Sequence, residues 1–379
     1  MLDLLPDLEA LLGEGPMGQA CALATIVGSS GSVPRPVGTS MLVTVGGEVR
    51  GSLSGGCVEG AVLEACTEAM ADGVPRREHF GYSADDAFAV GLMCGGSLEV
   101  LIQPLGPGDL GLPDRTGTVR VADGCALVRR IDGMGGPPIL VADPLGFEAS
   151  SIATELLAVL GDEGMARSAA SQLEPLVRAG HTGVIRVAPA GAGRQGEPAE
   201  LFVESRLPAP PLLVFGANDF AAALLETAKP LGYRTTLVDA RAVFADPSAF
   251  SQADEVIVQW PHAYLEDLRA AGPIDPRTVV CVLTHDPKFD IPVLHAALGL
   301  GVAYVGAMGS RSSDRQRRAA LLEAGTTPEQ LARLRSPIGL DVGASTPQEV
   351  AVSIVAEILA SRYGKDAPQP LSRVAGPIH

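Results

Sequence analysis

Apolar residues run in short unbroken blocks at Cys21–Val27 and Met41–Val45, spread to helical spacing over Val58–Ala71, and close into a block again at Ser97–Leu105. Blocks of this length, bounded by glycine and proline, predict buried strands, and the spacing of three and four between them predicts an amphipathic helix. A weaker copy of the same order follows. Cys125-Ala126-Leu127 echoes Cys21-Ala22-Leu23, and Pro138–Asp143 echoes Met41–Val45, ahead of a helix over Ser151–Leu160 and strands over Thr182–Val187 and Leu201–Ser205. The pattern predicts an N-terminal α/β region with a degenerate duplication, residues 1–106 and 117–207.

From Pro211 onward strands and helices alternate in the βαβ manner that implies a parallel, doubly wound, Rossmann-like sheet. The strands are expected at Leu212–Phe215, Thr235–Val238, Glu255–Val258, Val279–Leu283 and Ala303–Val305. The last helix has a defined start, with Thr346 as N-cap, Pro347 next and Glu349 completing a capping box before the stripe Ala351, Ile354, Val355 and Ile358. Thr327-Pro328-Glu329-Gln330 repeats the device. Proline-rich breaks fall at Pro104–Pro113 and at Pro208-Ala209-Pro210-Pro211, the second preceded by the glycine-containing stretch Ala190–Pro198. The second break is the expected domain boundary, dividing the chain into 1–207 and 208–379.

Composition narrows the class of protein. With 379 residues the chain exceeds one ordinary core at roughly 150 residues per domain. A formal net charge of −16 repels phosphates, and no Lys/Arg stripe interleaved with aromatics offsets it, so a nucleic-acid partner is excluded. No apolar run reaches the length that crosses a bilayer, and Met1–Leu12 lacks the basic flank and small-residue cleavage site of an export signal. A cytoplasmic protein without a membrane partner is expected. Six cysteines without a CxxC pair predict free thiols, with neither a disulfide framework nor a structural zinc site.

The candidate chemistry begins at Gly51-Ser52-Leu53-Ser54-Gly55-Gly56-Cys57-Val58-Glu59-Gly60, a strand end that turns through small residues into a helix. Glycines permit close backbone approach, and free N–H groups at a helix start favour an anion, so this loop reads as an anion site with a readily ionised thiol in its mouth. The same residues also read as a plain strand-to-helix turn with a small buried cysteine. A second place of this kind is Met93-Cys94-Gly95-Gly96-Ser97. Farther on, Gly216-Ala217-Asn218-Asp219 stands where a dinucleotide fingerprint belongs, with Asp239 about 20 residues later. The fingerprint is damaged, because Asn218 replaces the glycine that lets a pyrophosphate approach. Thr284-His285-Asp286 and Gly309-Ser310-Arg311 occupy later strand ends, where doubly wound sheets place ligands. Arg311, joined by Arg241 and Arg315, reads as a phosphate clamp. His285 with Asp286 offers an acid or base, or simply a hydrogen-bond partner.

These residues resemble the XdhC/CoxI family of molybdenum-enzyme accessory proteins. The resemblance is carried by Gly51–Gly60, Cys94-Gly95-Gly96, Asp239-Ala240-Arg241, Thr284-His285-Asp286, Gly309-Ser310-Arg311 and Ser336-Pro337-Ile338-Gly339-Leu340-Asp341-Val342-Gly343, and it spans about Ala22 to Arg362. It implies a protein that binds the molybdenum cofactor (molybdopterin or its cytosine dinucleotide), holds it during sulfuration by a cysteine desulfurase-type sulfurtransferase, and delivers it to xanthine dehydrogenase or a related hydroxylase. Such a protein is an accessory with no turnover of its own, and a homodimer is one assembly open to it. Carried over by position, Cys57 and Cys94 are the implied molybdenum ligands. Ser54, Gly55, Gly56, Gly95, Gly96, Gly216, Asn218, Asp239, Arg241, His285, Asp286, Gly309, Ser310 and Arg311 are the implied cofactor contacts. The chain departs from its relatives at Asn218-Asp219, where they keep a Gly-His pair. Two other functions fit parts of the pattern, an NAD(P)-dependent oxidoreductase built on the Rossmann-like domain and a persulfide carrier working through Cys57.

Overall fold

Alternation along the central strands decides the layering of the first half of the molecule. The computed structural model describes residues 1–12, 19–81, 95–107, 109, 123–189, 197–365 and 367–375; Cys94 and parts of the Pro104–Pro113 and Ala190–Pro198 stretches lie outside them. The chain divides at Pro208 into two units.

The first unit contains α1 (Leu5–Leu12), β1 (Cys21–Ser30), β2 (Ser40–Thr44), β3 (Val49–Gly51), α2 (Glu59–Asp72), β4 (Arg76–Gly81) and β5 (Ser97–Leu105). It continues with β6 (Cys125–Arg130), β7 (Ile139–Val141), α3 (Ala153–Leu160), α4 (Glu163–Arg178), β8 (Gly183–Val187) and β9 (Ala199–Arg206). Two antiparallel sheets result, ordered β3-β2-β1-β5-β4 and β7-β6-β9-β8. Successive strand residues face opposite ways. Ala22, Ala24 and Ile26 therefore pack on Val62, Cys66 and Ala69 of α2, while Cys21 and Leu23 join Cys125 and Leu127 of the other sheet and Leu5, Leu8 and Leu12 of α1. On β6, Ala126 and Val128 turn to the core shared with α3 and α4. The layers are helix, sheet, sheet, helix. Complete burial of leucines such as Leu8, Leu23 and Leu127 contributes about 1.5–3 kcal/mol each.

The strand order β2-β1-β5-β4 coincides with β7-β6-β9-β8, and Cys21 and Cys125 open the two equivalent strands, opposite Leu105 and Arg206. Several elements escape the sequence pattern. β4 alternates no apolar residues, and α4 hides an alanine-rich stripe of Ala166, Ala169 and Ala170 beside Met165, Leu173 and Val177. Pairings of Ser30 with Ser97, Thr25 with Ser40, Met41 with Gly51, and Gly81 with Ser97 place the β1–β2 and β3–α2 connections, the end of β4 and the start of β5 at one end of the first sheet.

The second unit contains β10 (Pro211–Phe215), α5 (Asp219–Ala228), β11 (Arg234–Asp239), β12 (Glu255–Val258), α6 (Pro261–Ala271), β13 (Val279–Val282), α7 (Pro287–Leu298) and β14 (Tyr304–Ala307). After these come α8 (Arg311–Glu323), α9 (Pro328–Ala332), β15 (Leu334–Arg335) and α10 (Pro347–Arg362). All six strands are parallel, in the order β12-β11-β10-β13-β14-β15. That is the doubly wound Rossmann order expected, with the two-residue β15 added at one edge. Leu212 and Val214 face α5 and α10, whereas Leu213 and Phe215 face α6 and α7. Both expected capping boxes form, at Thr346 with Glu349 and at Thr327 with Gln330. No helix among the described residues is long and apolar enough to cross a membrane.

Candidate functional site

The thiol-bearing turn forms because β3 ends on a glycine that only glycine can occupy. Gly51 has φ 81°, and a Cβ there would stand 2.5 Å from the Ser40 carbonyl oxygen. The backbone then curls around Glu59, the first residue of α2. One carboxylate oxygen accepts from the N–H groups of Leu53 (3.1 Å), Ser54 (2.8 Å) and Gly55 (2.9 Å) and from the Ser52 hydroxyl (2.7 Å). The other accepts from the N–H groups of Gly56 (2.8 Å) and Val58 (3.2 Å) and from the Ser54 hydroxyl. Burial alone would raise the pKa of Glu59, but hydrogen bonds from Ser54, Ser52 and the turn hold it well below the ordinary 4.5.

This corrects the anion-site expectation for Ser54, Gly55 and Gly56. Their donors do converge on an anion, as the glycine pattern suggests, but the anion is the chain's own Glu59. Sequence reasoning gave that residue no role. Ser54 and Ser52 stand five and seven residues before Glu59, not the three of a capping box, so no spacing in the sequence announces the role.

Cys57 stands at the head of this turn, partly exposed, with its N–H donated to Ser54 Oγ at 2.9 Å. The other described cysteines, Cys21, Cys66, Cys125 and Cys281, are buried and free. Burial pushes the thiol of Cys21 up to about 11 and that of Cys66 up to about 12. Gly95 and Gly96 lead into β5 at the same sheet end as the Cys57 turn. A Cβ on Gly96 would collide with the carbonyl oxygens of Ser30 and Ser32, so glycine there is required by close packing of two chain segments. Cys94, the second implied ligand, lies outside the described residues. Among those described, no three His, Cys, Asp or Glu side chains group as a metal cluster.

The second set of expected residues gathers at the carboxyl ends of the parallel strands in the other unit. Gly216 (φ 109°) lets the chain pass Thr284, whose methyl group would lie 2.5 Å from a Cβ. Asn218 caps α5, its Oδ1 accepting from Ala221 N–H at 3.0 Å while its Nδ2 donates to the Leu283 carbonyl at 2.9 Å. Its amide thus ties the loop after β10 to the end of β13. Asp239 is buried and accepts from Ala217 N–H (2.8 Å), Arg241 N–H (2.9 Å) and the Arg241 guanidinium (2.9 and 2.7 Å). Burial opposes its ionisation, but the Arg241 and Ala217 bonds hold its carboxyl below the usual range. The carboxylate that would hold a ribose is thereby engaged inside the loop.

Asp286 caps α7, accepting from Lys288 N–H at 3.1 Å, and His285 is exposed beside it. Ser310 caps α8, accepting from Ser313 N–H at 3.1 Å, and leaves Arg311 exposed. Arg315 is also exposed, and the arginine that turns beneath this rim is Arg317. Arg317 donates to the Met308 carbonyl (2.7 Å), to Ser336 Oγ (3.0 Å) and to buried Asp290 (3.1 Å), which also accepts from Thr284. A cleft of about 250 Å³ is lined by His285, Asp290, Ser313, Gln316 and Arg317 among others. The sequence does carry a signal for this pair. Asp290 lies within the apolar stripe Phe289, Val293 and Leu294, and Arg317 lies one turn before Leu321.

The second unit is a Rossmann domain whose first loop is closed by an asparagine, attached to a two-sheet unit that carries a partly exposed thiol. Residues 212–358 match the XdhC Rossmann domain and residues 17–81 match the XdhC and CoxI family, together more than half of the chain. The chain belongs to the XdhC and CoxI family. It is 24% identical over 359 residues to the molybdenum cofactor insertion chaperone PaoD of Escherichia coli, covering 95% of this chain and 87% of that protein. It is 30% identical over 162 residues to a Bacillus subtilis protein named as a probable xanthine dehydrogenase subunit, covering 43% of this chain and 46% of the relative, less than half the relative's length. A crystal structure from Bacillus halodurans, described as that of a xanthine dehydrogenase, aligns with a TM-score of 0.62 at 25% identity over 98% of both chains.

Proposed function

We propose that this protein takes the molybdenum cofactor as cargo and assists its sulfuration and insertion into a xanthine dehydrogenase or related molybdenum hydroxylase, without turnover of its own. The observation that carries the reading is Cys57, a partly exposed thiol at a sheet end, whereas the four other described cysteines are buried. A dithiolene-bound molybdenum is a soft centre, and a thiolate is the side chain that suits it. The name of the Escherichia coli relative points the same way. Cys94 is the second proposed contact, and a cysteine desulfurase-type sulfurtransferase is the proposed sulfur donor. Because Glu59 takes the donors of the Ser54–Gly56 turn, the phosphate of either cofactor form is assigned no contact there. An NAD(P) oxidoreductase is the weaker reading, since Asn218 is bonded to the Leu283 carbonyl and Asp239 to Ala217 N–H and Arg241.

The test is molybdenum bound after incubation with purified cofactor and gel filtration, for the wild type and for Cys57→Ser, Cys94→Ser and Cys66→Ser. Loss of uptake in Cys57→Ser is expected at a stability cost of about 1 kcal/mol or less, whereas buried Cys66→Ser should lose stability and keep uptake. Equal uptake by all three variants would refute a thiol contact. The partial exposure of Cys57 also favours persulfide carriage, which mass spectrometry would reveal as an added sulfur on Cys57 after incubation with a cysteine desulfurase and cysteine.

A further inference from the structure

We propose that Glu59 is a positioning residue for Cys57, an internal counter-anion around which the thiol-bearing turn is wound. This rests on the reading of Cys57 as the cargo contact. The carboxylate accepts from seven donors, five of them backbone N–H groups of residues 53–58. A structural glutamate at a helix start commonly meets one or two donors, as in a capping box. Here the ring of donors closes on both sides of the thiol, because Gly56 N–H and Val58 N–H, which flank Cys57, bond to one carboxylate oxygen. The remaining tie runs through Ser54. Its hydroxyl donates to Glu59 while its oxygen accepts from Cys57 N–H (2.9 Å) and Val58 N–H (3.0 Å). The backbone conformation at Cys57 is therefore set by a negative charge two residues away.

Charge-assisted bonds of this kind are about twice as strong as neutral ones. They also require an acceptor with no protons of its own. Glutamine would turn an N–H₂ group toward N–H donors, and alanine would leave the donors facing an empty seat of carboxylate size. A small free carboxylate should fill that seat, which separates a specific positioning role from a general loss of packing.

The experiment uses the full chain with Glu59→Ala and Glu59→Gln, and compares formate with chloride at equal ionic strength. Cys57 alkylation by iodoacetamide, located by mass spectrometry, is measured beside molybdenum uptake and thermal unfolding. In Glu59→Ala, uptake should fall about tenfold or more, as when a residue that orients a ligand is removed. Its alkylation rate should depart from that of the wild type. Formate should return both toward wild-type values in a saturable manner, leave the wild type unchanged, and have no effect on Glu59→Gln, whose amide fills the seat. A Glu59→Ala protein with wild-type alkylation and uptake, or one whose losses ignore formate, overturns the proposal. If Glu59→Ala does not fold even in formate, a wild-type alkylation rate in Glu59→Gln overturns it instead. A wild type that takes up no molybdenum, together with a formate response in Glu59→Ala, defeats the proposed function and leaves this inference standing. Normal uptake without the formate response defeats this inference alone.

Discussion

Asp290 and Arg317 meet at 3.1 Å beneath the rim of the parallel sheet, each with a side chain only 5% exposed. Removing one member strands the other as a buried charge, a loss of about 3–5 kcal/mol. Arg317→Met should show that loss in urea unfolding, with further orphaned acceptors at Met308 and Ser336. The double variant Asp290→Asn with Arg317→Met should lose clearly less than the sum of the single losses, and a strictly additive result would mean that the pair is not coupled.

Asn218→Gly tests whether the dinucleotide fingerprint can be repaired by one substitution. The change restores a glycine but removes the cap on Ala221 N–H, which costs little when glycine is the replacement, and the tie to Leu283, which costs about 1 kcal/mol. No gain of NAD binding is expected by calorimetry, because Asp239 stays bonded to Ala217 and Arg241. Tight NAD binding by the variant would show that the amide of Asn218 was the sole obstacle.

Asp239 gives a pH signature with a fixed sign. Its pKa in the folded protein lies below the ordinary 3.8, so its stabilisation is fully present above that value and is lost as pH falls below it. Asp239→Asn should therefore be less stable than the wild type by about 2 kcal/mol at neutral pH, given four hydrogen bonds to a buried carboxylate whose Arg241 partner is itself exposed. The gap should close as pH falls below 3.8. Thermal unfolding of both proteins across about pH 3–7 measures it, and a gap that widens in acid would reverse the assignment.

Much of the second unit is legible because buried parallel strands are apolar throughout, as Leu212–Phe215 and Val279–Val282 are, and because capping boxes carry their own spacing. The first unit is harder to read. β4 is the run Arg76-Arg77-Glu78-His79-Phe80-Gly81 at a sheet edge, where pairing rather than burial makes the strand. α4 escapes because alanine fills its buried stripe, and alanine marks a helix face only faintly. At the candidate site the glycine pattern suggests a bound anion, whereas the turn's donors go to the chain's own Glu59. A glutamate in a first helical turn reads as a solvated charge favoured by the helix dipole, and only the fold shows the turn closing over it. Asp290 and Arg317 are the reverse case, charges on apolar stripes that periodicity could have flagged.

The two antiparallel sheets of the first unit leave neither half self-sufficient. Each has one face under its own helices and the other against its neighbour, with Cys21, Leu23 and Leu42 meeting Cys125 and Leu127. A polypeptide ending after β5 would keep its α2 side covered and, beyond the part under α1, present the opposite face to water. The cover for that face, beyond what α1 supplies, is the second sheet of the same chain, through Cys125 and Leu127. Joining the halves in one chain makes that pairing intramolecular, so the seam closes at any protein concentration.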